Sequence, residues 1–334
     1  MRPGWPAETA ARLHPHHPTP RSHGRPLFGR GSTGDGCFPR PAPLTARKAG
    51  RGVGPEVGPE VVAHRGAPSG APEHTLAAYR RAAAVGADAV ECDVRMTRDG
   101  VLVCVHDRQI KSTSNGRGIV SALHLAELEQ FHFGARRPSR LSRWADDEII
   151  AVTDEPDVEN GLVLTLDRLL EYITATPGTV RLAIETKHPT RHARKVEEAL
   201  VACLRRFGLL GNGRSVEWAG KPAVRMMSFS QRAVRRMADL APAVPTVQLI
   251  GIRLRPVRRE LLNGNTMAVG PSIGLLRSDP AFVADAHAAG KEVHVWTVNK
   301  AADMELVRDL GVDVVITDYP DDLLHLLGRE APAR

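Results

Sequence analysis

From residue 61 onward, short runs of β-branched and other apolar residues alternate with longer stretches in which apolar positions recur every three or four. The runs are Val61–His64, Ala89–Arg95, Val180–Glu185, Ala223–Phe229, Thr246–Ile250, Met267–Gly270, Glu292–Val298 and Asp313–Thr317. Most are almost continuously apolar, which is how a strand reads when both of its faces are buried, as in a parallel sheet. Between them lie helical patterns over Thr75–Val85, Arg191–Phe207, Gln231–Leu240, Pro280–Ala289 and Ala301–Leu310. Thr75 and Asn299 stand where N-caps belong. Gly86, Gly208, Gly290 and Gly311 stand where a helix ends in a left-handed residue.

One more apolar run, Val101–His106, begins only a few residues after Arg95. A parallel crossover needs a dozen or more residues, so this run must fold back antiparallel, with Asp99-Gly100 at the turn. Eight remaining strands over a 267-residue span, 61–327, match the ~250 residues of a (β/α)8 TIM barrel. The alternative is an open doubly wound sheet. The expected fold is α/β: a (β/α)8 barrel with a hairpin excursion after the second strand. Residues 108–164 break the alternation and read as a lid-like insertion over the barrel mouth, with a short helix near Ala122–Gln130.

The first 58 residues hold ten of the 25 prolines and ten of the 30 glycines with few periodic apolar positions, so they cannot offset their chain entropy and are expected to be disordered. The domain proper is 59–334. No apolar core of a secretory signal follows the first charges. The irregular histidines of this segment (His14, His16, His17, His23) leave metal binding there as a minor alternative. Of the net charge of +7, +5 sits in residues 1–60, which carry nine Arg/Lys against four acids. The barrel is therefore close to neutral, and nucleic acid is not an expected partner. Apolar runs of about seven residues fall well short of a membrane span. Four scattered cysteines (Cys37, Cys92, Cys104, Cys203) suit a reducing, cytoplasmic setting better than a disulfide scaffold.

In a barrel the C-terminal strand ends converge on one mouth. Glu91 and Asp93, two apart on one strand, point to the same face, where Val or Ile would be usual. Two buried acids need a cation. With Glu185 from the adjacent strand they form an oxygen-only set suited to a hard divalent ion, Mg²⁺ or Ca²⁺. Pairing with Arg95 or Lys187 as a buried ion network is the alternative. His64 and His106 end different apolar runs at the same mouth. Singly each could be a core histidine; together beside the acids they suit acid and base roles. Arg65 and Lys187 add fixed positive charge for phosphate oxygens. Trp296 offers the substrate an apolar wall, or packs the rim.

These residues resemble a family signature. His64-Arg65-Gly66, Pro72-Glu73-His74-Thr75, Glu91-Cys92-Asp93-Val94, Thr97-Arg98-Asp99-Gly100 and Val105-His106-Asp107 are similar to the motifs of the glycerophosphodiester phosphodiesterases, metal-dependent barrels of the phospholipase-C-like type. Ser114-Asn115-Gly116-Arg117-Gly118, Glu185-Thr186-Lys187, Ser228-Phe229, Trp296-Thr297-Val298-Asn299 and Thr317-Asp318-Tyr319-Pro320 continue the match in order. The resemblance implies that Glu91, Asp93 and Glu185 hold the metal, that His64 and His106 are acid and base, and that Arg65 and Lys187 bind phosphate. It implies hydrolysis of glycerophosphodiesters to glycerol 3-phosphate and an alcohol. Water and the glycerol 2-hydroxyl both stay open as nucleophile.

Two departures stand out. The usual Pro-Glu-Asn-Thr reads Pro-Glu-His-Thr, so any ordering of His64 by the asparagine is done by His74 or not at all. Cys92 replaces a larger apolar residue. Residues 136–163 diverge most, which leaves the alcohol of the substrate open. A lysophospholipid or sphingolipid phosphodiesterase would need an apolar groove near the mouth, whereas the insertion, with Arg136, Arg137, Arg140 and Arg143, is polar. A non-catalytic phosphate-ligand binder is the other alternative.

Overall fold

Eight of the described strands lie side by side, all parallel, until the last meets the first. The computed structural model describes residues 58–134, 161–175, 178, 180–251 and 266–329. In chain order the strands are β1 (Glu60–Ala63), β2 (Ala89–Met96), β3 (Leu102–Cys104), β4 (Arg181–Thr186), the two-residue strands β5 to β8 (Leu210–Gly211, Arg214–Ser215, Glu217–Trp218, Lys221–Pro222), then β9 (Val224–Ser228), β10 (Thr246–Ile250), β11 (Ala268–Pro271), β12 (Glu292–Val295) and β13 (Val314–Thr317). The ring runs β1-β13-β12-β11-β10-β9-β4-β2, and β2 closes it on β1 through Val62↔Ala89 and Ala63↔Val90. The fold is the (β/α)8 barrel, not the open sheet. All eight expected strands are present with ends within a residue of those expected, save that β12 stops at Val295, three residues short of Val298.

β3 pairs antiparallel with β2, Val94 opposite Cys104, as the short connection required. Thr97 Oγ1 accepts from Val101 N at 2.9 Å within the turn, and Gly100 takes φ 91°, a conformation costly for any side chain.

Helices Leu76–Ala84, Lys195–Arg206, Gln231–Leu240, Ala281–Ala288 and Ala301–Asp309 cover the outside at the expected places. Thr75 caps the first through Ala78 N at 3.2 Å. Asn299 does not cap the last: Lys300 holds the N-cap position without a side-chain bond, because the Asn299 amide is drawn to Asp318. Helices Leu166–Ala175, Ile273–Ser278 and Pro320–Leu326 are described as well. The lid-like insertion is described over 108–134 and 161–164, where the short helix is Leu125–Leu128. The rest of that insertion with its arginines, and the expected disordered segment save Gly58, lie outside the described residues. No helix among the described residues is long and apolar enough to cross a membrane.

Apolar side chains fill two zones. Between strands and helices pack Tyr79, Leu166, Leu170, Ile184 and Leu200 among others, and inside the ring lie Val62, Ala183, Met227, Val247, Leu249 and Ile316. Below that inner layer, at the end away from the mouth, the ring is plugged by charge. The buried Glu60 carboxylate takes Arg181 at 2.9 Å, Lys221 at 3.5 Å and Arg225. On the same end Arg329 clamps Asp88 with bonds of 2.8 and 2.7 Å, and Gly58 lies against Leu327.

Burial pushes the Glu60 carboxyl up, but Arg225, Arg181 and Lys221 outweigh it and bring it from 4.5 down to about 2. A depressed carboxyl stabilises the fold above its unfolded value and loses that contribution as pH falls toward its folded one. Glu60→Gln is therefore expected to lower unfolding free energy at pH 7 by on the order of 3 kcal/mol. The gap to the unsubstituted chain should close between pH 4.5 and 2. Urea denaturation at pH 7 and pH 3 checks both; equal stability at pH 7 would refute the assignment.

Candidate active site

The site grows from register. β2 and β4 pair so that Asp93 stands directly beside Glu185, and Glu91, two residues earlier, shares their inward face. One oxygen from each of the three carboxylates lies within 4.8 Å of the others. All are buried, with exposures of 2% for Glu91, 1% for Asp93 and 7% for Glu185. Lys187, two residues beyond Glu185, places Nζ 2.8 Å from Asp93 Oδ1 and 2.9 Å from Glu185 Oε1. Arg95, the other candidate counter-ion, donates from Nε to the His106 carbonyl at 2.8 Å and is close enough to Asp93 and Glu185 to feel their charge.

The chain's own cations do not balance this cluster. Burial, then Asp93 and Glu185, push the Glu91 carboxyl well above its usual range, and burial with Asp93 lifts Glu185 to about 7. Asp93 alone is held well below the ordinary range: burial raises it, but the His74 bond, Lys187 and Arg65 prevail. The cluster is thus short of the positive charge that would keep all three acids in their ordinary range. An all-oxygen donor set short of positive charge fits a divalent cation.

β1 delivers His64 and Arg65. Arg65 sits at φ 57° and Gly66 at φ 89°, turning the chain sharply off the strand; a Cβ on Gly66 would fall 2.7 Å from the Ala78 backbone, so only glycine fits. The turn aims Arg65 N at Glu91 Oε2, 3.1 Å away. The Arg65 guanidinium bonds both oxygens of Glu73 at 3.2 Å, and its Nε lies 3.2 Å from Asp93 Oδ2 but out of hydrogen-bonding line.

Each expected histidine is backed by a carboxylate. His64 Nδ1 lies 2.6 Å from Asp318 Oδ1, and Asn299 Nδ2 donates to Asp318 Oδ2 at 2.5 Å while Asn299 Oδ1 accepts from Asp318 N at 2.9 Å. His106 Nδ1 lies 2.9 Å from Asp107 Oδ1, and Ser112 Oγ donates to Asp107 Oδ2 at 2.5 Å. A carboxylate accepts only, so each ring carries hydrogen on Nδ1 and turns Nε2 outward. His106 follows Val105, whose N–H bonds the Asp93 carbonyl at 3.0 Å; His64 precedes Arg65, whose N–H bonds Glu91. The two rings therefore flank the acid cluster. Burial, then the nearby Lys187 and Arg65, outweigh the acids around His106 and bring it from 6.5 down to about 4.

Trp296 Nε1 donates to the Gly270 carbonyl at 2.7 Å, and its ring meets Phe229 edge-on at 5.2 Å. Phe229 is 45% exposed, so the pair forms an aromatic wall at the ends of β9 and β12. All eight sequence-derived site residues thus belong to one mouth. Asp318, Asn299, Asp107, Ser112 and Phe229 join them. The first three and Phe229 stand at strand ends in the sequence, so their position was readable and only their partners were not. His74 does not order His64: its Nε2 lies 3.0 Å from Asp93 Oδ2.

The Glycerophosphoryl diester phosphodiesterase family matches residues 64–322. "Probable glycerophosphodiester phosphodiesterase 1" of Mycobacterium tuberculosis (strain ATCC 25618 / H37Rv) is 41% identical over 252 residues, covering 75% of this chain and 85% of its own. The Bacillus subtilis (strain 168) glycerophosphodiester phosphodiesterase is 31% identical over 255 residues, covering 75% and 80%. An Oleispira antarctica phosphodiesterase, solved in complex with the product sn-glycerol-3-phosphate, shares the fold at 23% identity with a TM-score of 0.65, covering 81% of this chain and 97% of its own. The chain belongs to the glycerophosphoryl diester phosphodiesterase family.

If the triad takes a divalent ion, saturating Mg²⁺ or Ca²⁺ should raise the melting temperature, chelator should reverse the rise, and Glu91→Gln should abolish it. Differential scanning calorimetry reads all three. A midpoint in the unsubstituted chain that ignores both ions would rule the metal out.

Proposed function

We propose that this mouth hydrolyses a glycerophosphodiester to glycerol 3-phosphate and an alcohol, with Glu91, Asp93 and Glu185 holding Mg²⁺ or Ca²⁺ and with His106 and His64 as base and acid. The observation that carries the proposal is the pair of carboxylate-backed imidazoles flanking the acid triad. A bound divalent cation would polarise the phosphoryl oxygens and offset the charge that builds in the transition state. Arg65 and Lys187, both lying against the triad, bind the phosphate and add fixed positive charge there.

His106 is the base because its surroundings keep the ring neutral, leaving Nε2 free to take a proton from the attacking hydroxyl, whether water or the glycerol 2-hydroxyl. His64, held from behind by the Asp318–Asn299 pair, gives a proton to the departing alkoxide. Phe229 and Trp296 flank the entrance. Among the described residues the exposed large apolar side chains are Phe229 and Met267, and Met267 precedes β11 at the opposite end. A single aromatic edge favours a soluble glycerophospho-alcohol over a lysophospholipid, whose acyl chain needs a groove. The buried free thiols Cys92, Cys104 and Cys203 suit a reducing, cytoplasmic setting.

Incubation with glycerophosphocholine, glycerophosphoethanolamine and lysophosphatidylcholine, with and without chelator, is expected to release glycerol 3-phosphate from the first two only, and only with metal. Release of lysophosphatidic acid instead would move the substrate to lipids, and no product from any would leave a ligand binder. His64→Ala and His106→Ala should each lower kcat by at least ~10² with the circular dichroism spectrum unchanged. The base must be neutral to act, so activity dependent on His106 should persist as pH falls and decline only as it nears about 4. A pH profile of kcat/KM whose acid limb sits at the ordinary imidazole value would refute that role.

A further inference from the structure

His74 is an unusual residue to find behind a metal site. It sits on the loop between β1 and helix Leu76–Ala84 at φ 59°, 5% exposed, and both of its ring nitrogens are engaged. Nε2 lies 3.0 Å from Asp93 Oδ2, and Nδ1 lies 2.8 Å from the Tyr79 hydroxyl. Since the carboxylate only accepts, Nε2 carries the hydrogen. The other ring nitrogen, Nδ1, faces the Tyr79 hydroxyl, which can donate to it and has the Glu91 carbonyl at 3.3 Å as its longer alternative. Tyr79 is itself fully buried on its helix among the core side chains. The result is a rigid line from the outer core through the loop to the carboxylate.

That line ends on a particular oxygen. Asp93 Oδ2 faces His74 and the Arg65 Nε at 3.2 Å, whereas Oδ1 faces Glu185 through the Lys187 ammonium they share. Among the described residues neither Glu91 nor Glu185 is backed by such a ring: Glu91 accepts from the Arg65 backbone N–H, and Glu185 pairs with the Lys187 ammonium. A free carboxylate rotates about χ2, and each rotation that turns Oδ1 from the cluster reduces the share of molecules ready to bind an ion.

We infer that His74, braced by Tyr79, is a positioning residue for the metal centre, fixing the Asp93 carboxylate so that Oδ1 is presented to a divalent cation together with Glu91 and Glu185. This rests on the proposal that the triad binds such an ion. His74 touches neither substrate nor metal; it acts through Asp93.

The test is isothermal titration of Mg²⁺ and of Ca²⁺ into the metal-stripped full-length chain at fixed pH, with the melting temperature of each variant taken in chelator. His74→Leu, which keeps bulk and removes the donor, is expected to raise the dissociation constant by ~10–100-fold. His74→Gln, whose amide nitrogen reaches the place of Nε2, should restore most of the affinity. Tyr79→Phe, which removes the hydrogen that fixes the tautomer, should fall between. Gln and Phe are close in size to the residues they replace, so the test stays decidable if the leucine variant is unstable. Unchanged affinity in His74→Leu or Tyr79→Phe, or a loss in His74→Gln as deep as in His74→Leu, would overturn the assignment. Absence of binding by the unsubstituted chain would overturn the metal proposal itself, and this inference with it.

Discussion

Three carboxylates buried within 4.8 Å of one another repel, and the rest of the mouth is arranged around that repulsion. In a low-dielectric setting, like charges this close cannot all persist without positive charge among them. Lys187 bridges two, the Arg65 backbone and side chain reach the other faces, and His74 secures the oxygen left over. The partial supply of cationic charge is what would let the cluster take a doubly charged ion: full neutralisation would have produced an ion network of the kind seen around Glu60.

The two ends of the same barrel make the contrast plain. At the closed end one carboxylate meets three cations, is held fully ionised, and contributes to stability. At the open end three carboxylates share Lys187 and Arg65, and only Asp93 is held well below its ordinary range while Glu91 and Glu185 are pushed up. Both layers arise from the same rule of strand alternation, with inward positions two residues apart: Glu60 and Val62 then His64 on one strand, Arg181 and Ala183 then Glu185 on another. A thin apolar layer separates a structural ion cluster from a reactive one.

Much of this was legible beforehand. Strands buried on both faces announce themselves as unbroken apolar runs, and a turn too short for a crossover forces β3 to fold back, so ring and hairpin followed from local pattern. Glu91 and Asp93 stood out because carboxylates replaced expected aliphatic residues. The misses share another origin. Asn299 has the right position and chemistry for an N-cap, and only the arrival of Asp318 from the next strand recruits its amide elsewhere. His64 finds its carboxylate 254 residues away. His74 reaches Asp93 and not His64 because its loop folds toward β2, not along β1. Helix Leu166–Ala175 carried its signal openly, with Leu166, Leu169, Leu170 and Ile173 at helical spacing and all buried, but it follows directly on an irregular stretch that obscured its start.

Closure of the ring also removes any privileged beginning. Gly58 abuts Leu327, so the barrel's path begins and ends side by side, and Arg329 is clamped to Asp88 at the foot of β2 on the same side, remote from chemistry. The order of strands is therefore cyclic. A circularly permuted gene, joined there and opened at another bottom loop, would encode the same cylinder with its reactive rim unaltered.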